Sequence, residues 1–214
     1  MLTDNLPSSS DRFRLGLASR HEEMVGVHGG LVKGEVFMEL RDGNSGELLD
    51  ERHIDNLILL DAGILIQMLL RDPTSRPAGG INMLAVGTGA TGALLSPDAP
   101  DPLQRKLNAE IQRKGFVSTT FRSAAGAAVA YPTNVCDYTT TFAEAEAVGP
   151  LNEMSLISAF SANTAVQNLN PNAFPTRDVT VDVSALDVEV NRLTFSVLTK
   201  PSTAVLTITW RLTS

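Results

Sequence analysis

Residues 192–212 read RLTFSVLTK-PS-TAVLTITWRL, from Arg192 to Leu212. In the first run Leu193, Phe195 and Val197 alternate with polar neighbours; in the second Val205, Ile208 and Trp210 do so, allowing for register. Alternation at period two places one set of side chains on a core face and the other in water, as in a half-buried antiparallel strand. Pro201-Ser202 supplies a turn between the runs, so the two are expected to form an antiparallel pair.

Working upstream, strand signals continue. FVSTTFRS (Phe116 to Ser123), VAYPTNVCDYTTTFA (Val129 to Ala143), NEMSLISAF (Asn152 to Phe160) and DVTVDVSALDVEV are rich in β-branched residues and separated by polar loops. LVKGEVFMEL (Leu31 to Leu40) and LLDERHI (Leu48 to Ile54) flank RDGNSGE, where Asp42-Gly43 and Ser45-Gly46 suit a tight reversal. This predicts a β-hairpin. A Ca²⁺ loop reading of the same Asp/Asn/Ser spacing lacks the twelve-residue ligand pattern and its terminal Glu. INMLAVGTG (Ile81 to Gly89) returns to strand, whereas QRKLNAEIQRKG (Gln104 to Gly115) reads as a solvated segment around a short helical turn.

One segment reads as helix. Asn56 stands as an N-cap before LILLDAGILIQMLL, and Arg71-Asp72-Pro73 stops the run. Apolar residues cover nearly every side, so the sheet or a neighbouring subunit is expected to bury this helix. Many short strands and one buried helix predict a mainly β fold, an antiparallel β-sandwich with a helix near residues 56–70. Residues 1–27 form an extended N-terminal arm and 28–214 the structural domain. The arm carries Leu6, Phe13, Leu15 and Leu17, too few apolar residues for a core of its own. These four are the candidate assembly contacts, expected to be mobile in the free subunit and ordered on a partner.

Composition narrows the function classes. Apolar residues make up 43% of the 214-residue chain and aromatics only 5%, which is enough for an aliphatic core. Seventeen basic against 24 acidic residues give a net charge of -7, with no basic stripe to meet nucleic acid or an anionic membrane. Leu57 to Leu70 is too short and too polar to span a bilayer, and Met1 to Ser10 lacks a secretory pattern, so a soluble protein is expected. Cys136 is the only cysteine and has no intrachain disulfide partner, consistent with assembly in a reducing cytoplasm.

No catalytic, cofactor or metal site is expected. Gly87-Thr88-Gly89-Ala90-Thr91-Gly92 follows a strand, yet no Lys-Ser/Thr ends it and ALLSPDAPDP follows instead of a helix, so it reads as a glycine turn rather than a phosphate loop. His21, His28 and His53 show no HxH, HxxxH or cysteine partner for zinc. Asp178, Asp182, Asp187 and Glu189 could offer oxygens to Ca²⁺, but Asp178 and Asp182 lie on an alternating strand, where an outward polar row is ordinary. Glu144, Glu146 and Glu153 flank Gly149-Pro150 and read as a structural corner; a glycosidase pair would need aromatic sugar platforms.

In order, GLVKGEVFMELRD, NLILLDAGILIQMLL, INMLAVGTGATG, TTTFAEAEAVGPLNEMSLIS and LTFSVLTKPSTAVLTITWRL resemble a family of small structural proteins of tailed bacteriophages, of tail-fibre-like, collar or virion type. The resemblance runs from Leu31 to Leu212. It rests on Asn56, Leu57, Ala62 and Gly63, on Val86 to Gly89, on Thr141 to Glu153, and on Leu206 to Trp210. Glu153-Met154-Ser155-Leu156 departs from the family's usual Glu-Ala-Gly-Leu, and the segment from Asn163 to Val190 is longer than usual. The resemblance implies a non-enzymatic virion component of the tail, neck, fibre or capsid surface, assembled in the host cytoplasm, with other virion proteins as partners, self-association into a homo-oligomer and no cofactor. A carbohydrate-binding module is the alternative, with Tyr131, Tyr138 and Trp210 as the large aromatic candidates.

Overall fold

The computed structural model describes residues 32–71, 74, 79–93, 96–98, 101, 104–160 and 186–214. Leu6, Phe13, Leu15, Leu17, Asp178 and Asp182 lie outside them, as does the rest of the arm. The fold is mainly β, two antiparallel sheets packed together with one short helix, as the strand patterning predicts.

The strands are β1 (Lys33–Asp42), β2 (Leu48–Ile58), β3 (Met83–Gly87), β4 (Gly92–Ala93), β5 (Ser96–Pro97), β6 (Glu110–Gly115), β7 (Ser118–Arg122), β8 (Ala128–Val129), β9 (Val135–Phe142), β10 (Gly149–Ser158), β11 (Val188–Glu189), β12 (Asn191–Lys200) and β13 (Ala204–Thr213); the helix is α1 (Leu60–Arg71). One layer runs β2-β1-β13-β9-β7-β8 and the other β6-β3-β10-β12, with β11 beside β10. Among the described residues, strand pairing joins the layers at one corner, where β2 meets β12, with Asn191 opposite Ile58 and Arg192 opposite Leu57. Between the layers lie Val36, Met38 and Leu40 of β1, Leu206, Ile208 and Trp210 of β13, Leu84 and Val86 of β3, and Leu193, Phe195 and Leu198 of β12. Their burial from water is the main stabilising term.

The β1–β2 hairpin forms as its sequence predicts. Asp42 Oδ1 accepts from the amides of Asn44 and Ser45 and from Ser45 Oγ, and these bonds hold its carboxyl below the usual range. Gly46 takes the left-handed conformation (φ 73°) that closes the turn.

Three expectations are corrected. The C-terminal runs are not paired with each other: β12 pairs with β10 and β2, and β13 with β1 and β9. Their alternating faces meet across the sandwich, and alternation alone is the same for a ladder partner and a facing partner. Asn56 is not the helix cap. It pairs with Gly34 inside β2, and its side chain occupies the space that a Cβ on Gly34 would need. Pairing with β12 carries β2 to Ile58, so α1 starts at Leu60 rather than near 56. Ala62 and Leu65 are buried with Met68 and Leu69 packed beside them, whereas Ile64 and Ile66 are 37% and 44% exposed, so among the described residues this apolar helix is covered on one side.

The third correction is larger. Residues 110–115 are not a solvated turn but β6, paired with β3, and Arg105, Gln112 and Arg113 are buried. The two arginines are paired with carboxylates and Gln112 accepts from the Ala147 amide, so a polar sequence here encodes interior rather than surface.

Candidate functional site

Strand β3 delivers the chain into the glycine turn, and β10 runs beside it with Glu153 opposite Gly87. The Glu153 side chain is fully buried and turned into the turn. Its Oε1 accepts from the amides of Gly89 (3.0 Å) and Ala109 (2.8 Å). Its Oε2 accepts from the amide of Asn108 (3.1 Å) and from Arg192 Nε (3.1 Å) and Nη2 (2.7 Å). Five donors around one carboxylate offset the cost of burying its charge, and a paired arginine does the same for its own.

The glycines follow from this approach. A Cβ on Gly87 would lie 2.5 Å from the Ala109 carbonyl oxygen and 2.7 Å from Glu153 Oε1; one on Gly89 would lie 2.6 Å from the same carboxylate oxygen. Neighbouring amides of the turn are also engaged. Asn152 accepts from the Ala90 amide and donates to the Ala90 carbonyl, both at 3.0 Å. Asp98 accepts from the Thr91 amide at 2.6 Å and takes Arg192 Nη1 at 3.2 Å. A phosphate loop presents such amides to a ligand. Here the protein's own carboxylates and amide occupy them, so the turn is an internal fastening of β3, β10, β12 and the 104–109 loop.

A second buried cluster lies on the same sheet. Arg113 donates to Glu110 through Nε (2.5 Å) and Nη2 (2.6 Å) and to Asp187 through Nη1 (2.7 Å). The other Asp187 oxygen accepts from the Phe160 amide at 2.8 Å. Arg105 Nε reaches Asp61 Oδ2 at 2.7 Å, tying the first turn of α1 to the 104–109 loop. Glu189 is fully buried, and among the described residues no arginine or lysine donates to its carboxyl oxygens. Burial pushes its carboxyl up to about 8, against the pull of Ser155 and Arg192. Asp187 and Glu189, considered as Ca²⁺ donors in the sequence, are thus an arginine partner and a buried acid.

At one end of the sandwich three turns interlock. Lys200 is buried, and its Nζ donates to the carbonyls of Ala143 (2.9 Å) and Glu144 (3.0 Å). Glu146 accepts from Lys114 Nζ at 2.6 Å and from the Ala143 amide at 2.8 Å, bonds that hold its carboxyl below the usual range despite some burial. Gly43 donates to the Thr203 carbonyl at 2.7 Å, and a Cβ there would overlap Glu144. Glu144 and Glu146 therefore sit at this corner, while Glu153 lies in the interior by the glycine turn. Arg52 donates to the carbonyls of Ser196 and Val197, in the stretch of β12 where the β10–β12 register shifts.

The remaining candidates are soon placed. Of the aromatics considered for sugar binding, Trp210 is fully buried in the core, Tyr138 is half-buried, and Tyr131 is 61% exposed. Burial raises the Cys136 thiol above its ordinary value. The outer face of the β1–β2 hairpin gathers Glu35, His53 and Asp55, which spacing rules for histidine pairs do not detect. No helix among the described residues is long and apolar enough to cross a membrane. Compared with known proteins, the chain matches no protein-family model and no curated protein.

Proposed function

We propose that this chain is a structural subunit of a tailed-bacteriophage particle, acting through protein–protein assembly in the tail, neck, fibre or capsid surface. The observation that carries the reading is the Glu153 knot. The V-G-T-G turn and the E-x-x-L strand are two of the separate motifs behind the phage resemblance, and Glu153 Oε1 bonded to Gly89 makes them one physical unit. Motifs that occur together because they touch are a stronger signature than motifs that merely share an order.

The distribution of polar chemistry supports the same reading. The glycine-turn amides and the carboxylates Glu146, Glu153 and Asp187 are spent on fastening the sandwich itself. Exposed large apolar side chains include Leu48 and Leu49 after the hairpin turn and Val148 beside the interlocked corner. Aliphatic groups on a stiff shell suit contact with another protein. On this reading the chain is not an enzyme and takes no cofactor; its partners are other virion proteins and further copies of itself. Burial of Trp210 takes the largest aromatic away from the carbohydrate-binding alternative.

Negative-stain imaging of the purified protein, alone and mixed with phage particles, tests the proposal. Closed or filamentous assemblies, or density added to particles, are expected. Removal of residues 1–27 should leave subunit stability nearly unchanged and abolish incorporation. A monomer that never associates with particles, together with saturable glycan binding, would replace this reading with the carbohydrate one.

A further inference from the structure

We propose that Glu35, His53 and Asp55 form a binding site for a divalent first-row transition-metal ion of the zinc class. The inference is independent of the virion reading.

Strand alternation builds the site. Val36, Met38 and Leu40 of β1 point into the core, so Glu35 and Phe37 face outward. On β2, His53 and Asp55 share that outer face, with Asp55 opposite Glu35 and His53 opposite Phe37. One ligand atom from each of the three residues lies within 4.8 Å of the others. His53 Nε2 stands 3.6 Å from Glu35 Oε1. That is too long for a hydrogen bond. It is close to the spacing of two ligands on one tetrahedral ion, roughly 3.4 Å when each bond is about 2.1 Å.

The imidazole is held in place. His53 stacks on Phe37 with centroids 4.3 Å apart and planes 14° from parallel, and the Arg211 guanidinium lies 5.2 Å from the centre of the same Phe37 ring. A ligand whose ring plane is already fixed loses little freedom on binding metal.

Charge along the row points to a cation. Asp55, Glu35, Arg211 and Asp137 stand side by side across β2, β1, β13 and β9. Arg211 gives Nε and Nη2 to Asp137 at 2.8 and 3.1 Å, and Arg122 reaches the same carboxylate at 2.8 Å. Asp137 therefore has two cations; Glu35 shares the attraction of Arg211, while Asp55 faces Glu35 as a like charge, an arrangement that destabilises a strand pair. A divalent ion between them reverses that sign. The nitrogen ligand distinguishes this group from an ordinary acidic patch and selects zinc, copper or nickel over calcium and magnesium.

Zinc titrated calorimetrically into the full chain should show one saturable site, with calcium and magnesium binding far more weakly. His53→Ala and Asp55→Asn should each lower zinc affinity by at least about tenfold, while replacing both His21 and His28 by alanine should leave it unchanged. Copper bound in place of zinc should show one-imidazole nitrogen coupling in its electron paramagnetic resonance spectrum, lost in His53→Ala. His53 and Asp55 are exposed, so unchanged circular dichroism serves as the folding control. Absence of saturable zinc binding, or binding unaffected by His53→Ala, would overturn the proposal.

Discussion

Gly89 donates its amide to Glu153 Oε1 at 3.0 Å, and a Cβ on Gly89 would lie 2.6 Å from that same oxygen. The bond and the missing side chain are one requirement. Gly89→Ala must push the carboxylate away from the amides of Gly89 and Ala109 or displace the turn. Overpacking of this kind costs about 1–3 kcal/mol before any lost hydrogen bond is counted. A fall of that size or more is expected in urea unfolding.

Gly63 supplies the opposite case. It is exposed in the interior of α1, and a Cβ there would meet nothing within 4 Å. Its absence of a side chain only adds backbone freedom to the unfolded chain. Gly63→Ala is therefore expected to stabilise the protein by about 0.5–1 kcal/mol. A destabilised variant in the same unfolding assay would mean that the exposed side of the helix is covered.

Glu153 and Arg192 should behave as one unit. Glu153→Gln would turn an amino group toward donors and leave the Arg192 charge buried without its carboxylate. Breaking one side of such a pair costs about 3–5 kcal/mol. Glu153→Gln and Arg192→Met are each expected to lower stability by that order, and the double variant by clearly less than the sum. A double-mutant cycle measures the coupling directly, and additive losses would show that the two residues act separately.

The sandwich was legible because aliphatic alternation survives without knowledge of partners. Ile208 and Trp210 are buried as their spacing requires, with Leu206 rather than Val205 continuing the buried row. Which strand each run faces was not legible, and so β12 and β13 read as ladder partners although they face each other from different sheets. The 104–115 segment failed for a related reason. Arg105, Gln112 and Arg113 look like surface until their partners Asp61, Ala147 and Asp187 are known, and those partners lie far away in the chain. A hydrophobic pattern cannot show a polar interior, because the information resides in pairs. The glycine turn was recognised from its residues, but its cause, the Glu153 carboxylate pressed against the backbone, was not.

Glu189 gives the protein a pH dependence of definite sign. Its carboxyl ionises near the ordinary value of 4.5 when free and at about 8 in the fold, because burial opposes charge and Glu153 and Glu110 add repulsion. Ser155 and Arg192 pull the other way and are outweighed. Between the two values the folded state holds a proton that the unfolded chain has lost, so stability falls as pH rises through that window. The destabilisation from this one group grows across that window at roughly 1.4 kcal/mol per pH unit, on the order of a few kcal/mol in all. Glu189→Gln removes the titration while keeping size and polarity. Its amide is also buried without a ready partner, and that cost is the same at every pH, so the absolute stability of the variant is not diagnostic. The slope is. Urea midpoints measured across this range should fall steeply for the parent and more gently for Glu189→Gln, with the gap between them moving by several kcal/mol in favour of the variant as pH rises. Parallel profiles would mean that Glu189 ionises in the fold as readily as in the unfolded chain.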